Sequence, residues 1–174
     1  HSKGFTIPVA VNVFAPVVSE PALSAGVAGA LRRHGLPPQA LTVEITEDRL
    51  LADMPGTRSA LDRLRASGVQ VALDDFGSGY SSLSYLRDLP IDEVKLDRHF
   101  VAPVTTDTRA AAVVRAVIDL THDLGITVVA EGIEDEQTAD WLRRHACDIG
   151  QGYLFGRPVG AAEIATMATS GTHA

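Results

Sequence analysis

The sequence predicts an α/β fold, about six βα units wound around a parallel sheet. Short apolar runs alternate with amphipathic segments along the chain, the pattern that lays helices over a parallel sheet. Each run also carries a polar residue near its C-terminal end, where parallel α/β sheets bind their ligands. In residues 71–83, VALDDFGSGYSSL, one run stops at two adjacent carboxylates, Asp74 and Asp75. It then enters a loop with Gly77 and Gly79, and Ser81 and Ser82 open a helix.

Taken in order, the predicted strands lie near residues 7–13, 41–45, 69–74, 93–97, 127–131 and 148–153. A helix over 22–34 starts after Pro21, a residue suited to the first helical turn, and stops at Gly35 and the pair Pro37-Pro38. Another, over 135–145, has acids in its first turn and Arg143, Arg144 and His145 in its last, which matches the helix dipole. No internal repeat, low-complexity tract or linker stands out. Residues 1–174 read as one domain, with His1-Ser2 as an expression scar.

Composition narrows the classes. A chain of 174 residues, 45% hydrophobic and 21% charged, suits one globular domain with a sizeable core. No run approaches the ~20 apolar residues of a membrane span: Arg115 and Asp119 break even AAAVVRAVIDL, and no signal peptide is visible. Cys147, the single cysteine, excludes an intrachain disulfide and a zinc-cysteine site, and is compatible with a reducing cytoplasm. A formal charge of -7 argues against the basic footprint that DNA or RNA binding needs.

The polar residues at the strand ends are Asn12, Glu44, Asp74, Asp75, Glu131 and Gln151, all oxygen donors. Hard cations such as Mg²⁺, Mn²⁺ or Ca²⁺ suit them. Two divalent ions would neutralise the four carboxylates, and two-metal sites are a device for phosphodiester hydrolysis. Lys95 and Asp97 stand two apart, so in a strand they share a face and can pair or jointly hold a water. A Schiff-base role for Lys95 is disfavoured, because neighbouring acids raise a lysine pKa rather than lower it. GSGYSS lacks the third glycine of a dinucleotide fingerprint. His34, His99, His122 and His145 show no metal-ligand spacing and read as surface, cap or packing residues. Trp141 reads as the buried face of a helix. For Tyr153 and Phe155, core packing is favoured over stacking on a base.

The motifs VNV, LTVEITE, DDFGSGYSSLSYLRDLPIDEVKLDRHFV, VVAEGIED and GQGYLFGRP resemble, in order and spacing, the EAL family of bacterial cyclic di-GMP phosphodiesterases. The resemblance implies a modified (β/α)8, TIM-barrel-like fold and hydrolysis of cyclic di-GMP to linear pGpG with Mg²⁺ or Mn²⁺, Ca²⁺ being inhibitory. It implies that Asn12, Glu44, Asp74, Asp75 and Glu131 are metal ligands, Lys95 the catalytic lysine, Asp97 the acid near the second metal, and Gln151 a holder of the attacking water. Glu47 would steady the loop that contains Gly77, Gly79 and Ser81, and Glu134 would support the site. Ser78 and His99 are tolerable departures. The family further implies a homodimer linked to that loop, attached GGDEF or sensory domains, and a cytoplasmic location.

The Glu-Ala-Leu segment itself does not occur in this sequence. The expectation is therefore an incomplete barrel, the C-terminal majority of an EAL-type domain, without one ligand glutamate and a substrate-binding arginine. Loss of a direct ligand should cost at least the roughly 10 to 100-fold typical of losses behind the ligands. The intact protein is expected to be active, and this chain weak or inactive. The alternative is a catalytically inactive cyclic di-GMP receptor or a regulatory, protein-interaction module. Open sheet edges invite pairing with another chain. The carboxylate cluster makes a first test: Mg²⁺ or Mn²⁺ at millimolar concentration is expected to raise the melting temperature in a concentration-dependent way. An unchanged melting curve would mean that the carboxylates are not assembled into a site.

Overall fold

Six parallel strands lie side by side in chain order. In a computed structural model that describes residues 7–18, 20–46, 54–78, 83–161 and 163–164, they are β1 (Val9–Asn12), β2 (Leu41–Thr46), β3 (Gln70–Phe76), β4 (Glu93–Leu96), β5 (Thr127–Ala130) and β6 (Ile149–Gly150). Crossovers between parallel strands share one hand, so a strand order without reversal carries every helix over the same face and turns the other face inward. The helices are α1 (Ala15–Val18), α2 (Pro21–Arg33), α3 (Met54–Ala66), α4 (Leu83–Asp88), α5 (Arg98–Val101), α6 (Thr108–Asp123) and α7 (Glu136–Arg144), with 3-10 turns at Pro38–Ala40 and Ala102–Thr105. All six predicted strands are present, though the last is two residues long rather than six. Glu47, Gly79, Ser81 and Ser82 lie outside the described residues.

Register divides the two faces. Val43, Val71, Ile45, Leu73, Val94, Leu96, Val128 and Ala130 share the helix-covered face. All are buried, packed with Leu61, Leu64, Ile118 and Leu142. Each such side chain contributes roughly 1.5–3 kcal/mol of burial, which holds the sheet rigid. The inner face carries Asn12, Glu44, Asp74, Glu93 and Lys95. β1 and β6 are the outer strands, with Val9, Val11 and Ile149 exposed on them.

Four helices end alike. Gly35, Gly68, Gly125 and Ala146 each take a positive φ, at 63°, 87°, 72° and 59°. The next residue in each case, Leu36, Val69, Ile126 or Cys147, donates its N–H to the carbonyl five residues back, on Leu31, Leu64, Thr121 or Leu142. These are Schellman ends, which satisfy carbonyls that a helix terminus leaves open. Cys147 closes the fourth and is half-buried, which pushes its thiol up to about 11.

A second device occurs twice. Arg65, penultimate in α3, holds Asp92 at 2.7 Å, and Asp92 Oδ2 accepts the N–H of Val71 at 2.9 Å. His122, penultimate in α6, meets Asp148 at 3.0 Å, and Asp148 Oδ2 accepts the N–H of Val128 at 2.8 Å. The aspartates stand immediately before β4 and β6, so each ties the foot of its strand to the preceding strand. The device recurs in role and not in residue identity, with Arg65 in one place and His122 in the other.

Ala146 is the one Schellman residue that is not glycine, and a left-handed conformation costs an L-residue roughly 1–2 kcal/mol. Less the entropy of an added glycine, Ala146→Gly is expected to stabilise the fold by about 0.5–1 kcal/mol, a rise of about 1–3 °C in Tm. Calorimetry of the two proteins measures it; a lower Tm would mean that the residue is not strained.

Candidate metal centre and cleft

Lys95 stands on the inner face of β4 with its side chain 9% exposed, and three strands aim carboxylates at it. Its Nζ lies 2.8 Å from Glu44 Oε1, 3.0 Å from Asp74 Oδ1 and 2.7 Å from Glu131 Oε1. Register explains the convergence: β2, β3 and β4 bring Glu44, Asp74 and Lys95 to one end of the sheet. The residue after β5, Glu131, continues that level by donating its N–H to Leu96 O at 3.0 Å. Burial alone would lower the lysine pKa. Hydrogen bonds to Glu131 and Glu44 and the contact with Asp74 outweigh it and hold Lys95 above its ordinary range.

Two adjacent residues of a regular strand face opposite ways, yet Asp74 and Asp75 serve one site. Between the pairs Leu73–Val94 and Phe76–Leu96, β3 carries one residue more than β4, and in this bulge Asp75 adopts φ 56°. A bulge with a left-handed residue re-aims a side chain. Asp74, Asp75 and Glu131 thereby each bring a carboxylate oxygen within 4.8 Å of the others. Past the bulge, Gly77 takes φ 97°, and a Cβ there would lie 2.7 Å from the Phe100 ring, so the loop needs glycine twice over.

The remaining candidates divide. Asp97, Glu131, Glu134 and Gln151 line an adjoining cleft of about 250 Å³ with Arg98 and Tyr153. Gln151 is fixed there by its N–H on Ala130 O and by its carbonyl, which accepts from Ile133 N. Asn12 is in register with Glu44 but exposed on β1. Asp97 does not pair with Lys95 as its spacing suggested. β4 ends at Leu96, and Asp97 caps α5 instead, its Oδ1 accepting from His99 N at 2.8 Å. Tyr153 is not core: it is 54% exposed, with the Arg157 guanidinium 4.4 Å over its ring, because the chain turns outward once the short β6 ends. Phe155 does pack against the core. His122 and His145 fulfil the packing and cap roles expected of them.

Glu93, one layer below Lys95, was missed by sequence reading, although its place two residues before the lysine gave the signal. Burial pushes its carboxyl up, and the charges of Glu44, Asp74 and Asp92 add to this. Glu131 is raised chiefly by burial, with Asp74 and Glu44 adding and Lys95 opposing. One ammonium therefore does not compensate the cluster. The donors are all oxygens, and Asp74 Oδ1 is buried against the Lys95 ammonium at 3.0 Å. This set fits a hard divalent cation.

A parallel sheet wound like a barrel, with acids and one lysine at its C-terminal end, gathers hard oxygen donors at the face where barrel proteins carry their sites. The chain matches the EAL domain family over residues 1–158 and belongs to it. It is 40% identical over 156 residues to the bifunctional diguanylate cyclase/cyclic di-GMP phosphodiesterase MucR of Pseudomonas aeruginosa, covering 90% of this chain and 23% of that protein. It resembles the EAL domain of Mycobacterium smegmatis DcpA with a TM-score of 0.91 at 40% identity, over 97% of this chain and 75% of that one. BlrP1 of Klebsiella pneumoniae, in a manganese/cyclic di-GMP complex, matches with a TM-score of 0.82 at 34% identity, over 87% of this chain and 39% of that one. The fold is TIM-barrel-like, and the six described strands form an incomplete barrel.

Lys95→Met removes the countercharge of three carboxylates and is expected to cost about 3 kcal/mol at pH 7, the range for breaking a buried ion pair. Glu131 is raised in the folded state above its ordinary 4.5. Its contribution to stability is thus full below that value and lost as pH rises through the folded pKa. The deficit of the variant should shrink as pH falls from 7 toward 4.5. Urea denaturation at both ends of that window checks this, and a constant deficit would refute it.

Proposed function

We propose that this chain is the larger part of a phosphodiesterase domain that opens one phosphodiester of cyclic di-GMP to linear pGpG. The observation that carries the proposal is the convergence of Glu44, Asp74, Asp75 and Glu131 around the Lys95 ammonium, in a member of the EAL domain family. Support comes from the named activity of MucR and from the nucleotide complex of BlrP1.

In this reading Asn12, Glu44, Asp74, Asp75 and Glu131 hold Mg²⁺ or Mn²⁺, two ions in the complete domain. Such cations supply Lewis acidity to the phosphoryl oxygens and lower the pKa of water. Lys95 offsets the negative charge that develops on the phosphoryl group and orients the nucleophile. Gln151 and Asp97, on the wall of the cleft, position the water. As the water oxygen bonds to phosphorus, the bond to the ribose 3′ oxygen breaks, and a proton ends on that oxygen. Glu134 and the loop around Gly77 keep Asp75 in place, with Glu47, Gly79 and Ser81 assigned to the same support. The whole protein would work in the cytoplasm as a homodimer, with a GGDEF or sensory domain attached. No helix among the described residues is long and apolar enough to cross a membrane.

The test is chromatography of cyclic di-GMP incubated with the chain and Mn²⁺, beside Lys95→Ala. Conversion to pGpG is expected from a chain extended to include the Glu-Ala-Leu segment and weakly or not at all from this one, with a loss of at least about a hundredfold when Lys95→Ala is made in the extended chain. Retained turnover in Lys95→Ala would sink the mechanism. Binding of cyclic di-GMP without conversion by either length would make the domain a receptor, and neither binding nor conversion by either would overturn the substrate.

A further inference from the structure

We propose that Asp148, steadied by His122, is a positioning residue for Gln151, and that Asp92 with Arg65 does the same for Lys95. The inference rests on the reading of Lys95 and Gln151 as site residues. Its evidence is the doubled clamp at the opposite end of the sheet.

The two clamps agree closely in spacing, though Arg65 meets Asp92 Oδ1 while His122 meets the same Asp148 Oδ2 that accepts from Val128. The basic residue precedes the clamped strand residue by six positions in both cases, Arg65 to Val71 and His122 to Val128. Three residues beyond the clamped N–H stands an acid of the site, Asp74 in one copy and Glu131 in the other. The clamping aspartate follows the clamped residue by 21 positions in the first copy and 20 in the second. Three residues beyond that aspartate stands the next polar group of the site, Lys95 or Gln151. Each clamp thus fixes, at the foot of two neighbouring strands, the relative height at which two site residues emerge at the top.

The constraint matters more for Gln151. β4 is held to its neighbours along four residues, and the backbone N–H of Asp92 also donates to Val71 O at 2.9 Å. β6 has two paired residues and lies at the edge of the described sheet, with Ile149 exposed. A strand paired over so short a length is weakly specified in register. The bond from Val128 N to Asp148 fixes the foot of β6, and together with the bonds of Gln151 to Ala130 O and Ile133 N it sets Gly150 opposite Ala130 and Gln151 in the cleft. His122 fixes the carboxylate rotamer as Arg65 fixes that of Asp92. The imidazole does so with a hydrogen on Nε2.

The experiment is amide hydrogen exchange by NMR on the full chain, with Mn²⁺ broadening of the Gln151 side-chain amide as a second readout. In Asp148→Ala the amides of Val128 and Gln151 are expected to exchange about tenfold faster or more, with Val94 and Lys95 unchanged. Broadening of the Gln151 side chain by Mn²⁺ should change as well. Asp148→Asn, which keeps an acceptor oxygen, and His122→Arg, which copies the other clamp, should stay within about twofold of the native rates. Native rates for Gln151 in Asp148→Ala, or equal acceleration throughout β3 and β4, would overturn the proposal. Should Asp148→Ala not fold, His122→Ala carries the same test with a smaller acceleration, and no change there would also overturn it. A native protein that binds no Mn²⁺ would defeat the metal reading, while the exchange pattern would still decide this one.

Discussion

One ammonium among three carboxylates is the interaction on which the inner face depends. Glu44, Asp74 and Glu131 come from three different strand ends, yet each lies within 3.0 Å of Lys95 Nζ. Like charges about 4 Å apart repel by roughly 4 kcal/mol at a dielectric near 20, so without the lysine the top of the sheet would be destabilised. The strand order lets it serve all three. β4 lies beside β3 and β5, and the lysine chain is long enough to pass over β3 to Glu44 on β2.

What was legible in the sequence was local. The polar residue closing each apolar run follows from strand alternation and strand length, and the structure collects Glu44, Asp74, Lys95 and Glu131 as that pattern implied. Gly35 as a helix stop follows from the preference of left-handed caps for glycine. Asp97 was misread because alternation was carried one residue past the end of β4, where a helix start needed its carboxylate more than Lys95 did. Ala146 hid a Schellman end that glycine would have announced. The convergence of Asp74 and Asp75 requires a bulge and a positive φ that neither residue type signals. Tyr153 was assigned to the core by composition, but the turn after Gly150 directs it outward.

The two ends of the sheet divide stability from chemistry. Schellman ends and aspartate clamps gather where helices stop and strands begin, and each satisfies groups that would otherwise lie unpaired. At the other end stand a strained aspartate, Asp75, and Glu131, an acid that burial holds above its usual range. Barrel proteins place function at the strand C-termini and reserve the opposite face for stability. This chain follows the rule down to single hydrogen bonds.

That division also explains why the acids can be kept. A raised carboxyl pKa here means that burial, with the neighbouring acids adding to it, disfavours the ionised form more than Lys95 favours it. The same deficit becomes affinity once a cation arrives, because binding replaces an interaction that the folded chain cannot supply from its own side chains. Lys95 offsets enough of the repulsion to let the sheet form, but not so much that the donors are saturated. Asp74 Oδ1, buried against the ammonium at 3.0 Å, is the atom at which that balance is visible. A second lysine in its reach would stabilise the fold and close the site to divalent ions. The chain has instead put its stabilising contacts at the far end of the strands, where they hold the donors in register without consuming them.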